Sequence, residues 1–140
     1  MRYVLDCSVA VKWFVPEPDS GLARRLLRDH GTAAFLAPAL IVGEVGHAVR
    51  KLAFGKELTA DQARGVIADF LSLGIQTVPL ASLATDAIQL ALDHSATFYD
   101  ALYVAFAVRE DLKVLTADDR TASAFAKLDR TLRLADFPTP

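Results

Sequence analysis

Short apolar runs alternate along the chain with longer stretches whose apolar residues recur every three or four positions. Tyr3-Val4-Leu5 is a β-prone run that stops at Asp6, and it predicts a buried first strand. From Ser8 the pattern changes. Val9, Ala10, Val11, Trp13 and Phe14 suit a short helix ended before Pro16, since proline cannot continue a helix interior. The loop Pro16-Glu17-Pro18-Asp19-Ser20 leads into a helix over 21–30, with Leu22, Leu26 and Leu27 inward and Arg24, Arg25 and Arg28 mostly outward. A second strand is expected over 33–37, ended by Pro38, and then a strongly apolar helix over 39–54 closed by Gly55. Thr59 opens another helix, with Asp61-Gln62 in its first turn and Gly74 at its end. A third strand is expected over 75–80 and a helix over 82–95 with Leu83, Ala87, Leu90 and Ala91 on one face. The segment 99–111 is apolar almost all round, the mark of a helix buried on most sides. A fourth strand over 113–116, a helix near 121–128 and a short fifth strand over 132–135 complete the pattern, and the tail Pro138-Thr139-Pro140 is expected to be loose.

Strands alternating with helices, and strands without polar alternation, predict an α/β fold with a mostly parallel sheet covered on both faces. The length, 140 residues, suits one domain over 1–140. With 53% hydrophobic residues the chain has material for a full core. Fifteen basic residues against 17 acidic ones leave a net charge of −2, without the strongly basic footprint of many nucleic-acid binders. One cysteine, Cys7, excludes an internal disulfide and a cysteine-rich zinc site. The apolar start meets Asp6 within a few residues, so a signal peptide is not expected. The longest apolar stretch, 33–42, is well short of the roughly 20 residues that cross a bilayer. No membrane association and a cytoplasmic location are the expectation.

In open α/β sheets ligands bind beyond the carboxyl ends of the strands. The first strand ends at Asp6 with Ser8 close behind, and the fourth at Thr116 with Asp118 and Asp119 following. If these two strands are neighbours, about 4.8 Å apart, their terminal carboxylates converge. Glu44 sits mid-helix among apolar residues, and Asp100 begins the apolar helix. An isolated carboxylate removed from water costs several kcal/mol unless a partner offsets it. Four acids at one place also repel and raise each other's proton affinity. A divalent cation resolves both, and magnesium or manganese prefers such oxygen ligands. Each acid has a plainer alternative. Asp6, Asp118 and Asp119 could cap helices, Asp100 could be a first-turn acid favoured by the helix dipole, and Glu44 could pair with Arg50 or Lys51.

The segments Tyr3-Val-Leu-Asp-Cys-Ser-Val-Ala-Val-Lys-Trp-Phe, the Glu44 helix, Phe98-Tyr-Asp-Ala-Leu-Tyr-Val-Ala-Phe-Ala and Val114-Leu-Thr-Ala-Asp-Asp, in that order, resemble the PIN-domain family. More narrowly they are similar to the VapC toxins of prokaryotic toxin–antitoxin pairs. The resemblance covers nearly the whole chain. It implies a three-layer α/β/α sandwich and a magnesium- or manganese-dependent endoribonuclease. Its acids fall on Asp6, Glu44, Asp100 and Asp118, as metal-binding and catalytic residues. Ser8 and Thr116 match positions that orient the acids or bound water, with Asp119 joining through a water. It also implies a VapB-like antitoxin partner, a homodimer and a toxin–antitoxin hetero-oligomer.

On this reading water, activated by the ion, attacks the phosphorus in line and leaves 5′-phosphate and 3′-hydroxyl ends. Lys12, Arg24, Arg25, Arg28, Arg50 and Lys51 are the candidate phosphate contacts, against a solvated helix face as the plainer role. Trp13 and Phe14 suit either core packing or an apolar interface. Other chemistries fit less well. Glu44-x-x-His47 has the spacing of half a di-iron motif, but no second copy exists. The Gly-x-Gly, Walker A and Gly-x-Ser-x-Gly patterns are absent. His30, His47 and His94 are assigned structural or surface roles. The remaining alternatives are a stand-alone PIN nuclease in RNA processing and a PIN-like binding module whose acids are structural.

Overall fold

A computed structural model describes residues 1–138; the expected looseness of the tail concerns Thr139 and Pro140, which lie outside the described residues. The first strand, β1, is Tyr3–Leu5. A short helix α1, Cys7–Ala10, runs on into a 3₁₀ turn at Val11–Trp13. Then follow α2 (Ser20–His30), β2 (Phe35–Pro38), α3 (Leu40–Phe54) and α4 (Ala60–Ser72). The second half holds β3 (Gln76–Val78), α5 (Ala84–His94), α6 (Phe98–Glu110), β4 (Val114–Thr116), α7 (Asp119–Ala124) and β5 (Thr131–Arg133).

All five strands are parallel, in the order β3-β2-β1-β4-β5. The chain steps outward from β1 through β2 to β3, then crosses back to place β4 on the other side of β1. The order therefore reverses between β1 and β4, and a crevice opens beyond their carboxyl ends. Val4 pairs with Val114 and Leu5 with Leu115, so Asp6 and Thr116 leave the sheet side by side. The Asp6 amide donates to the Leu115 carbonyl at 3.0 Å, which fixes that register.

Strands β1, β2 and β4 are buried along their whole length, which requires cover on both faces and gives the three-layer α/β/α arrangement. Helix α6 supplies the hub. It packs on β1, β2 and β4, with α5 alongside, and every residue from Ala101 to Ala107 is buried. Trp13 belongs to this core: its ring meets Phe35 edge-on at 5.3 Å and its indole N–H donates to the Ala23 carbonyl at 3.0 Å. Phe14 packs edge-on against Phe70.

The departures from expectation lie at edges and ends. β3 and β5 are shorter than the apolar runs suggested, and β3 is largely exposed, because an edge strand has one hydrogen-bonded neighbour and less cover. β2 starts at Phe35, after a 3₁₀ turn over Thr32–Ala34, and keeps Pro38 as its last paired residue opposite Val78. The last predicted helix divides into α7 and a 3₁₀ turn at Ala126–Leu128. Gly55 follows α3 with φ −76°, and the left-handed residue of this turn is Lys56 (φ 62°). Gly74, after α4, does take the left-handed conformation, φ 63°. The start of α4 carries a full capping box, Thr59 and Gln62 satisfying each other's backbone amides.

Candidate active site

Asp6 stands at the reversal point, with only 8% of its surface exposed. Its main-chain carbonyl starts α1, but its side chain does not cap that helix. Instead two hydroxyls converge on one carboxylate oxygen: Ser8 Oγ donates to Asp6 Oδ2 at 2.6 Å, and Thr116 Oγ1 at 2.8 Å. Each hydroxyl also accepts a backbone amide, Ser8 from the segment after β4 and Thr116 from its own segment. Ser8 Oγ takes Ala117 N–H at 2.9 Å and Thr116 Oγ1 takes Asp118 N–H at 3.0 Å. A hydroxyl has one proton, so these acceptances aim both donations at Asp6. The result is a fixed Oδ2 and an Oδ1 that accepts no hydrogen bond among the described residues.

The other acids arrive on three different elements. Glu44 comes from the first half of α3, and Asp100 from the first turn of α6, where its amide donates to the Thr97 cap at 3.1 Å. Asp118 precedes α7 and does cap it, Oδ1 accepting from the Arg120 amide at 2.9 Å. The Arg120 guanidinium lies 3.5 Å from Asp118 Oδ2. Asp119 is turned outward to Arg133, 3.6 Å away.

Burial pushes the Asp6 carboxyl above the usual range; the two hydroxyls oppose this, and the charges of Asp100 and Asp118 reinforce it. Glu44 is also raised, by burial first and then by Asp6 and Asp100, while the facing Tyr103 hydroxyl favours its ionised form. Neither Glu44 Oε1 nor the Tyr103 hydroxyl, both buried, completes a hydrogen bond of good geometry. The alternative considered for Glu44, an ion pair with Arg50 or Lys51, does not form among the described residues. Arg50 lies over the Phe54 ring, 4.4 Å from its centroid. Among the described residues Asp6, Glu44 and Asp100 have no basic partner. These carboxylates feel one another, yet no three His, Cys, Asp or Glu groups among the described residues already surround one point as an ion's ligands do.

Of the basic candidates, Lys12 reaches the crevice but is held by Glu17 at 3.2 Å. Arg28 pairs with Asp29, and Arg24 leans on the Lys12 carbonyl. Arg120 at the crevice and Tyr103 beneath Glu44 went unnoticed in the sequence. The Asp118-x-Arg120 spacing was the available signal for the first. Thr116→Val tests the hydroxyl relay. It leaves the Asp118 amide and Asp6 Oδ2 each short of a partner, so an expected loss of about 1–3 kcal/mol should appear in urea unfolding.

The pattern of the family described as PIN domain matches residues 3–130. A relative named Ribonuclease VapC1, from Mycobacterium tuberculosis, is 41% identical over 88 residues, 63% of this chain. The chain spans 65% of that relative's length, just under two thirds. Ribonuclease VapC3 from Pyrobaculum aerophilum is 32% identical over 130 residues, covering 91% of this chain and 98% of the relative. Among solved structures, the crystal structure of PAE2754 from Pyrobaculum aerophilum superposes with a TM-score of 0.71 at 19% identity, over 96% of this chain and 85% of the other. A toxin–antitoxin complex from Klebsiella pneumoniae superposes with a TM-score of 0.68 at 14% identity, over 94% and 97%. By sequence and by fold, the chain belongs to the PIN-domain family, among its VapC-type members.

Proposed function

We propose that the chain is a divalent-metal-dependent endoribonuclease and the toxin half of a toxin–antitoxin pair. The observation that carries this reading is the set of carboxylates at the sheet's reversal point. Asp6 is locked by two hydroxyls with one oxygen left over, and Glu44 and Asp100 lie near it without a cation. Such groups in a half-dry crevice are tolerable when a hard cation joins them. Magnesium keeps several waters and needs only one or two direct carboxylates, which suits acids that are neighbours without enclosing a point. Asp6, Asp100 and Asp118 would hold Mg²⁺ or Mn²⁺ chiefly, with Glu44 as a further ligand and Asp119 at most through water. The ion supplies a water of lowered pKa and a charge that offsets the phosphate's.

The chain's own part is positional. Ser8 and Thr116 hold Asp6 Oδ2 still, so Oδ1, which accepts no hydrogen bond among the described residues, is fixed in one orientation. Thr97 and the buried body of α6 set the height of Asp100. Two relatives carry the name ribonuclease, and one solved neighbour is a toxin–antitoxin complex; these support extending the reading to an RNA substrate and an antitoxin partner. We extend it also to a homodimer, for which light scattering should return twice the chain mass. No helix among the described residues is long and apolar enough to cross a membrane, and we extend the reading to a cytoplasmic location, where an RNA substrate would be met.

Cleavage of single-stranded RNA by the purified chain, with the new ends identified, tests the chemistry. Attack by water gives 5′-phosphate and 3′-hydroxyl ends, whereas a 2′,3′-cyclic phosphate would show attack by the ribose and exclude this mechanism. Expression with and without a co-expressed antitoxin tests the pairing: growth should stop without the partner and recover with it.

A further inference from the structure

The crevice over the acids has a hollow on each side. One, of about 480 Å³, carries Ser8, Lys12, Asp118 and Arg120. The other, of about 500 Å³, is walled mainly by apolar atoms and carries Leu40, Gly43, Glu44, His47, Lys51 and Tyr99. Cys7 and Ala48 line both, so the two adjoin, with Glu44 on one and Asp118 on the other.

The second hollow holds three features that the fold itself does not use. Tyr99, directly before Asp100, is 59% exposed and its hydroxyl makes no hydrogen bond among the described residues. Its one aromatic neighbour among the described residues, Phe98, is tilted by 51° with centroids 6.4 Å apart, so none of these rings is stacked on its face. Gly43 lies inside α3, where glycine costs about 1 kcal/mol relative to alanine. A Cβ there would meet nothing within 4 Å, so no neighbour in the chain demands the glycine. Lys51 has no ion-pair partner among the described residues and stands on the same wall.

A mainly apolar hollow with a free aromatic face and a nearby cation suits a nucleobase and its phosphate. We propose that this hollow receives one unpaired base of single-stranded RNA, stacked on the Tyr99 ring next to the scissile phosphate, with Lys51 on a flanking phosphate. The inference rests on the ribonuclease reading and adds to it a requirement for an unstacked base, which a continuous duplex does not present.

The test uses the full chain and single-stranded oligoribonucleotides, with the same strand in a duplex as the control. Tyr99→Ala is expected to raise KM about ten-fold or more, the loss of one stacked base, with kcat much less affected. Tyr99→Phe and Tyr99→Trp keep the face and should stay within about three-fold of the parent. Gly43→Leu should raise KM without lowering the melting temperature. On an Asp6→Asn background, RNA carrying 5-iodouridine should photocrosslink at Tyr99. Intact cleavage by Tyr99→Ala with unchanged KM, or crosslinks mapping away from the hollow, would overturn the inference and leave the ribonuclease reading standing. Wild-type protein that cleaves no RNA at all would remove that reading and the inference with it.

Discussion

Asp6→Asn is expected to cut RNA cleavage by at least about 10³-fold while making the metal-free protein more stable. Both halves follow from the same geometry. Ser8 and Thr116 donate to a single oxygen, Oδ2. An asparagine that places its carbonyl oxygen there keeps both hydrogen bonds and puts its amide where Oδ1 was. The fold loses nothing, and the site loses a charge that burial and the charges of Asp100 and Asp118 already disfavour. The sign with pH follows. A carboxyl raised in the folded state penalises folding when ionised, so the penalty is full above the folded pKa. It disappears as pH falls through that pKa to the ordinary carboxylate range. The melting-temperature advantage of Asp6→Asn over the metal-free parent should therefore be largest at alkaline pH and close as pH falls. An advantage that widens on acidification would contradict the burial of an ionised Asp6.

Removing divalent ions is expected to abolish cleavage outright, with recovery on adding Mg²⁺ or Mn²⁺. Asp6, Glu44 and Asp100 disfavour one another's charge and form no ion pair among the described residues, so RNA phosphate meets an anionic crevice once the ion is gone. Protons compete for the same oxygens. Since Asp6 and Glu44 both hold protons more tightly than ordinary carboxylates, the concentration of Mg²⁺ giving half-maximal activity should rise as pH falls. Activity in excess chelator, with contaminating nuclease excluded, would remove the metal from the account.

Much of the architecture is legible in the chain because burial writes plainly. Tyr3-Val4-Leu5 ending on an acid, and a helix apolar on every side from Ala101 to Ala107, have few other homes than a covered parallel sheet. The edges were harder to read. The apolar residues of 75–80 and 132–135 suggested longer strands than β3 and β5, because periodicity does not say where an edge strand loses its cover. Gly55 looked like a left-handed stop, but the turn places that conformation one residue later, at Lys56.

The site divides in a similar way. Glu44 was conspicuous as a lone charge in an apolar helix, and its expected partners Arg50 and Lys51 leave it unpaired. Asp118 fits two roles together: it caps α7 through Oδ1 and faces the crevice. Ser8 and Thr116 stand at the ends of their strands in the chain, but their role in orienting the acids comes from family resemblance alone. Nothing local in either segment says that two hydroxyls so far apart in sequence meet on one carboxylate oxygen; only the β1–β4 pairing does that. Tyr99 and Tyr103 show the limit from the other side. Both lie in one aromatic-rich helix, yet one is buried beneath Glu44 and the other stands in water at the crevice mouth.

Direct titration with Mn²⁺, followed by the paramagnetic signal of the free ion, probes the carboxylate set without needing a substrate. The wild-type chain should take up Mn²⁺ at a defined site, releasing protons, with Mg²⁺ competing and Asp6→Asn and Asp100→Asn each largely losing the uptake. Equal, weak uptake by the wild type and both variants would show that these acids do not share an ion, and the account of the site would fail.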